Sequence, residues 1–393
     1  MTDLRLLAGA VFLSAAGDLL ALVTLALLVH DLTGDGLAVS ALFAATMVPT
    51  VALAPVAGQL ADRVESVRLL AITSLLAAAV AVALAFAGDL AAILGLTALL
   101  AGVGALAQPA EFALVPHVAA PGRLARANGL LEAARYAGFA VGPTVAGVAV
   151  AFGGERLALL VNAASFLAVA AATALMRARR PPVKSPTGDR AREGVVQLWR
   201  DPALRVTLLV NVVALLFISA SITIEVFYVK DVLEAGDAAY AAIVAVWMAA
   251  MVAGATGLAG RLPQHHAAAV ALLALAVQGA GMAAQTTWAI LPVAFAGYAV
   301  GGLGHGVKNT LLRLVIQQRV PGRLHGRAFA AYSAARNAAE LVALAAGGLL
   351  VAAIGPRPAL LIAGLGPVVL AAGGLAILRP VAEPLTTRGA EAA

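Results

Sequence analysis

The chain has 393 residues, of which 62% are hydrophobic and 12% charged, and its mean hydropathy is +0.96. Soluble globular proteins carry roughly 25% charged residues, so that class is excluded, and the formal charge of +6 reads as membrane topology rather than as a nucleic-acid surface. There is no cysteine, which rules out disulfides and thiolate metal sites.

From the N-terminus, Arg5 precedes an apolar run from Leu6 to Val29 that is too long for the core of a signal peptide and reads as a first span. Apolar windows of about 20 residues, enough to cross a bilayer, then recur to the C-terminus. They predict twelve spans, at 6–29, 37–60, 68–87, 90–115, 127–151, 156–176, 203–229, 238–260, 267–286, 288–316, 327–354 and 357–378. With the N-terminus inside, 19 of the 26 basic residues fall in cytoplasmic segments, Lys184, Arg190, Arg379 and Arg388 among them. Only Arg156, Lys230 and Arg357 fall outside. That asymmetry predicts a multi-pass protein of a bacterial cytoplasmic (inner) membrane with both termini in the cytoplasm. The longest polar insert, 177–202, begins Pro-rich and basic and ends with Val195, Leu198 and Trp199 on one helical face. This pattern predicts an extended tether followed by a short interfacial helix.

The segments on either side of the insert echo each other. "PGRL" occurs at 121–124 and 321–324, "AGVG" at 101–104 faces "GGLG" at 301–304, and Asp31 and Gly36 match Asp231 and Gly236, all at an offset of 200 residues. Two parallel six-helix repeats are the arrangement of the major facilitator fold, and the chain resembles that superfamily over essentially its whole length. The resemblance implies an all-α polytopic membrane protein with an N-terminal bundle (1–176), a cytoplasmic linker (177–202) and a C-terminal bundle (203–393).

The loop "GQLADRVESVR" at 58–68 is similar to the superfamily's motif between spans two and three. Gly58, Asp62, Arg63 and Arg68 match, whereas Glu65 replaces a glycine. The resemblance implies a gating latch in which a carboxylate binds a helix N-terminus or an arginine of the other half. "GFAVGPTVAG" at 138–147 resembles the fifth-helix antiporter motif of drug exporters through Gly138, Gly142, Pro143 and Gly147, with Ala146 in place of one glycine. Proline is tolerated there because neighbouring helices in lipid re-satisfy the freed carbonyl, and glycines admit close helix approach. The motif implies export, and Gly142–Pro143 buried where the bundles meet would favour the antiporter over a facilitator. "QPAEFALVP", "ANGLLEAAR" and "EVFYVKDVL" look most like the twelve-helix macrolide- and siderophore-exporter branch.

Ionisable residues inside spans are costly and mark function. Glu132 with Arg135 and Arg336 with Glu340 stand three and four residues apart, the spacing of intrahelical ion pairs. Asp18, Glu111, Glu225, Lys308 and Arg313 lack such a neighbour. They fall on helices 1, 4, 7 and 10, which line the central cavity in the family, and they are the candidates for proton coupling and substrate contact. His305 reads as a satisfied polar residue. No Walker-type loop, His-Glu-x-x-His or Gly-x-Ser-x-Gly occurs, so the chain reads as neither an ATP-driven pump nor an enzyme, with no cofactor or metal. The expectation is a monomeric secondary transporter that exports small amphipathic, drug-like compounds by proton antiport through alternating access. The alternatives are a facilitator or importer of a small polar solute, or an exporter of an endogenous metabolite or siderophore.

Overall fold

The computed structural model describes residues 2–33, 36–182 and 192–378, and among these the regular structure is entirely helical. Lys184, Arg190, Arg379 and Arg388, and the middle of the predicted tether, lie outside the described residues. In the first half α1 (Thr2–Thr33) is followed by α2 (Gly36–Ala52) and α3 (Ala54–Arg63), then by α4 (Ser66–Leu84), α5 (Leu90–Val118) and α6 (Leu124–Ala174). A nine-residue helix, α7 (Arg192–Arg200), leads into α8 (Pro202–Phe227), α9 (Asp237–Ala253), α10 (Ala267–Ala284), α11 (Leu291–Arg319), α12 (His325–Ile354) and α13 (Pro356–Leu378).

The twelve predicted spans are all accounted for, with two departures from straight rods. The second span bends by 53° between α2 and α3. Pro49 inside α2 and Pro55 at the start of α3 each lack an amide hydrogen, so the backbone ladder is interrupted on both sides of the bend. The fifth and sixth spans are the two arms of α6, which turns back at Gly153 and Gly154. Gly154 has φ 68° and ψ −172°, a conformation essentially confined to glycine, and so marks the turn. Among the described residues nine helices are long and apolar enough to cross a membrane, or ten with the bent pair counted as one span. The merged arms of α6 hide one further span. In α11 the charges at Lys308, Arg313 and Arg319 lower the apolar character of another.

Each half packs around its own core. In the first, α1 lies along α6 and α4 packs on α5 and α6; in the second, α10 packs on α11 and α13, and α8 on α12 and α13. The α1–α6 seam depends on small residues: a Cβ at Gly138 would fall 2.5 Å from the Phe12 carbonyl oxygen, and one at Gly142 would fall 2.6 Å from that of Ala16. The halves meet chiefly through α12 on α3 and α5, and through α6 on α9 and α11. In α7, Leu198 packs against the second-half core while Trp199 is half exposed, the two-sided character expected of an interfacial helix.

Candidate functional site

The contact between the halves nearest the 177–202 linker is built on Asp62. Its side chain is 2% exposed, at the end of α3 and facing the start of α12. Its Oδ1 accepts from the Gly326 backbone N–H (3.0 Å) and Oδ2 from that of Arg327 (3.3 Å), so a carboxylate occupies the positive end of a helix in the other half. Arg180 completes the arrangement. Its Nη2 donates to Asp62 Oδ1 (2.8 Å) and to the Gly322 carbonyl (2.9 Å), and its Nη1 donates to the Ala61 carbonyl (2.6 Å). Glycines make the approach possible: a Cβ on Gly58 would lie 2.7 Å from Arg327 Cα, and one on Gly326 would lie 2.7 Å from Asp62 Oδ1.

The helix N-terminus matches the sequence reading, and so does an arginine of the other half, since Arg327 Nε stands 3.6 Å from Asp62 Oδ2; the second arginine, Arg180, was not foreseen. It comes from the linker's first residues, where it looked like one basic residue among several. Arg63 and Arg68 are exposed, and neither forms an ion pair with Asp62 among the described residues. Glu65, at the motif's substituted glycine, caps α4 by accepting from the N–H groups of Val67 (2.9 Å) and Arg68 (2.8 Å). Two hundred residues on, Leu262 stands at the position of Asp62 and Arg126 stands opposite in place of Gly326. There the stem of Arg126 packs over Gly260, where a Cβ would meet Arg126 Cγ at 2.8 Å. The symmetry-related seam is therefore packed rather than charged.

Above this seal lies a cavity of about 440 Å³ between the halves. Its floor is cross-linked by pairs that join α5 and α6 to α11 and α12. Glu132 forms an ion pair with Arg313, Asn309 Nδ2 donates to Tyr136 Oη (2.7 Å), and Asn128 Nδ2 donates to Gln317 Oε1 (2.5 Å). The Phe112 and Phe329 rings meet with centroids 5.1 Å apart, and the Arg313 guanidinium lies 4.3 Å from the Phe112 centroid. The upper wall is amphipathic: Glu225 is surrounded by aromatic side chains from α9 and α11, Trp247 and Tyr298 meeting edge-on at 6.0 Å. Ser221 Oγ donates to Glu225 Oε1 at 3.1 Å.

Two intrahelical pairs expected from spacing do not form. Glu132 reaches Arg313, while Arg135 Nη2 donates to Glu111 Oε1 at 2.6 Å. Both side chains project inward, where facing helices offer opposite charges. Arg336 donates to Asn337 Oδ1 (3.0 Å), and Glu340 lines the cavity without an ion pair among the described residues. The five charges without a helical neighbour are not gathered in one cavity either. Glu225 and Arg313 line the central one. Lys308 is 1% exposed and lines neither cavity, its Nζ without a hydrogen-bond partner among the described residues. Asp18 and Glu111 line a second cavity of about 350 Å³, set between α1, α2, α4 and α5, with Gln108 and Arg135 common to both. Asp18 therefore has neither Lys308 nor Arg313 as a partner.

The glycines of "GFAVGPTVAG" also have a different setting from the one expected. Gly138 and Gly142 seat α6 on α1 within one half. Pro143 is exposed, one turn beyond Phe139 on the stripe Glu132, Tyr136 and Phe139 that lines the cavity. Gly142–Pro143 is thus not buried between the halves in this conformation, because they are apart at that level. Of the cross-links that sequence reasoning missed, Asn128–Gln317 and Asn309–Tyr136 had one legible signal, namely amide side chains in or at the ends of otherwise apolar spans, whereas Arg180 had none.

Two six-helix halves around an amphipathic cavity, sealed at one end by charge and open toward the other, define a membrane transporter. Known proteins agree. The chain belongs to the Major Facilitator Superfamily, whose sequence profile matches residues 7–339. It is 29% identical over 366 residues to the multidrug efflux pump Tap of Mycobacterium bovis strain BCG, covering 88% of this chain and 86% of that protein. It is 24% identical over 367 residues to the uncharacterized MFS-type transporter YfiS of Bacillus subtilis, covering 90% and 87%. Among solved structures, the human organic anion transporter MFSD10 superposes with a TM-score of 0.77 at 17% identity, covering 96% of this chain and 99% of that one. A bacterial homologue of the iron transporter ferroportin, in its outward-facing state, gives 0.74 at 18%, covering 96% and 98%.

Proposed function

We propose that the protein exports small amphipathic compounds across a bacterial cytoplasmic membrane by proton antiport, as a monomer working by alternating access. The single observation that carries this reading is the central cavity, apolar and aromatic over much of its wall, with the carboxylate of Glu225, which has no ion pair among the described residues, set among the aromatic side chains. Aromatic faces accept varied apolar bodies, and a lone carboxylate can hold either a proton or a substrate's polar head. The likeness to efflux pumps supports the direction.

In this mechanism the halves 1–176 and 203–393 rock about the cavity, with 177–202 as the tether. The basic bias of the loops puts the linker end in the cytoplasm. The structure then corresponds to the outward-open state, latched inside by Asp62, Arg180 and the start of α12. A proton taken by Glu225 from outside displaces the substrate. The protonated carrier closes above the cavity and opens below, where Glu225 returns its proton to the cytoplasm and rebinds substrate. Of the residues read from sequence, this mechanism places Glu225 at the coupling step and Glu132–Arg313 in the floor that must part. Everted membrane vesicles loaded with a pH-sensitive dye test it: an exported compound dissipates the proton gradient with wild-type protein and not with Glu225→Gln. A broad panel of amphipathic compounds that leaves the gradient untouched would remove the antiport reading.

A further inference from the structure

We propose that the corner where α7 runs into α8 is a binding site for the phosphodiester headgroup of an anionic phospholipid, held by Arg200 and Arg205 beside Trp199. The first support is the placing of the two arginines. α7 ends at Arg200 and α8 begins at Pro202, so the chain turns there through Asp201 alone. Arg205 lies one turn into α8 and reaches back, its Nη1 donating to the Trp199 carbonyl at 3.4 Å. That carbonyl belongs to the peptide joining Trp199 to Arg200, so the Arg205 guanidinium sits at the root of the Arg200 side chain.

The second support is charge. Both arginines are exposed, and neither forms an ion pair among the described residues. The one acid between them is committed elsewhere: Asp201 accepts from the Leu204 N–H at 3.0 Å, as the cap of α8, and from Arg319 Nη1 at 2.8 and 3.1 Å. Two like charges held together without a counter-charge attract an anion, and a guanidinium matches phosphate oxygens through its paired N–H groups.

The third support is the level of the corner. The apolar span that contains α8 begins at Pro202, and Trp199 stands three residues before it, half exposed, while its neighbour Leu198 packs on the second-half core. The two arginines therefore lie at the edge of the hydrocarbon, where tryptophan settles and headgroups begin. An indole offers little to a free phosphate ion but lies well against the glycerol and upper acyl chain of a lipid, which makes the lipid the occupant. α7 also packs on α12, whose first residues hold Asp62. A bound headgroup thus fixes the end of the linker to the half that carries the helix N-terminus of the latch.

The test uses the full-length chain with Trp247→Phe and Trp288→Phe, which leaves Trp199 as its sole tryptophan. The protein is placed in phosphatidylcholine vesicles doped with dibrominated phosphatidylglycerol or dibrominated phosphatidylcholine, and quenching of Trp199 fluorescence is read against mole fraction. Each arginine near the surface favours an anionic lipid about 5-fold, so the brominated phosphatidylglycerol should act at a mole fraction about 25-fold lower. Arg200→Gln and Arg205→Gln should each lose about 5-fold of this preference, and together should remove it. Arg123→Gln, an exposed base on the loop between α5 and α6, should keep it. Equal quenching by the two lipids, no quenching by either, or a preference that survives the double change overturns the proposal. So does a loss in Arg123→Gln as large as in Arg200→Gln, which would make the preference a property of the whole face. Reversal by millimolar inorganic phosphate would make the free ion the ligand and overturn the lipid assignment. No transport is read, so the outcome is independent of whether the carrier exports drugs or couples to protons.

Discussion

Asp62→Asn changes one atom type and should change the resting conformation of the carrier. The carboxylate accepts from Arg180 and from two backbone N–H groups at the start of α12, all within 3.3 Å. Asparagine retains one carbonyl acceptor but replaces the other oxygen with a donor, which then faces an N–H group or a guanidinium. A hydrogen bond to a charged group contributes about 1.5–3 kcal/mol against about 0.5–1.5 for a neutral one, and a carboxylate at a partly buried helix N-terminus adds up to ~2 kcal/mol. In the unlatched state the same groups meet water, so only the difference counts, and about 2–3 kcal/mol is a fair central value for it. At about 1.4 kcal/mol per factor of ten, the latched population should fall about 30- to 150-fold relative to the unlatched one. The chain has no cysteine, so a pair introduced at the exposed positions Arg68 and Arg323 can carry spin labels across the seam without background. Double electron–electron resonance should then show a short distance in the parent and a longer one in Asp62→Asn. An unchanged distance distribution would refute the latch energetics, and with them the claim that this contact holds the linker end closed.

Two further outcomes concern stability. Gly154→Ala places a side chain at φ 68° and ψ −172°; a Cβ there meets nothing within 4 Å, so the cost is purely conformational, about 1–3 kcal/mol, read as a lower unfolding midpoint. Glu65→Ala removes both hydrogen bonds that cap α4 and should cost about 1 kcal/mol by the same measurement, while the Asp62–Arg180 contact and the spin-label distance stay as they are.

The helices were legible because lipid leaves a chain few choices: apolar windows of spanning length had to be helices, and the break between the fifth and sixth spans fell at Gly153–Gly154 as the sequence read it. The latch acid was legible too, because Asp62 sits in a motif with a physical purpose. The arginine that the linker adds was not. Arg180 is one of several basic residues in a polar segment, and nothing local distinguishes it from a topology signal. The ion pairs misled for a related reason. Spacing reports only what shares a helix face, so Glu132 and Arg135 looked paired, when each reaches a residue 181 or 24 positions away in sequence. The division of the charges between two cavities was likewise out of reach, since depth along a helix can be counted but the gap a side chain enters depends on its neighbours. The bend between α2 and α3 lay within reach, since both prolines stand in the sequence.

The unlike seams of the two repeats have a consequence for their common origin. Asp62 requires a residue without a side chain opposite it, and Gly326 provides one; the matching seat in the first half holds Arg126, which in turn requires the bare backbone of Gly260. A molecule assembled from two copies of the first half would set Arg126 where Asp62 needs glycine, and one from two second halves would have no acid at all. The repeats descend from one plan, yet they have become keyed to each other like a plug and its socket. A side chain added at Gly326 or Gly260 therefore needs room from the residue that faces it, Asp62 in one seam and Arg126 in the other.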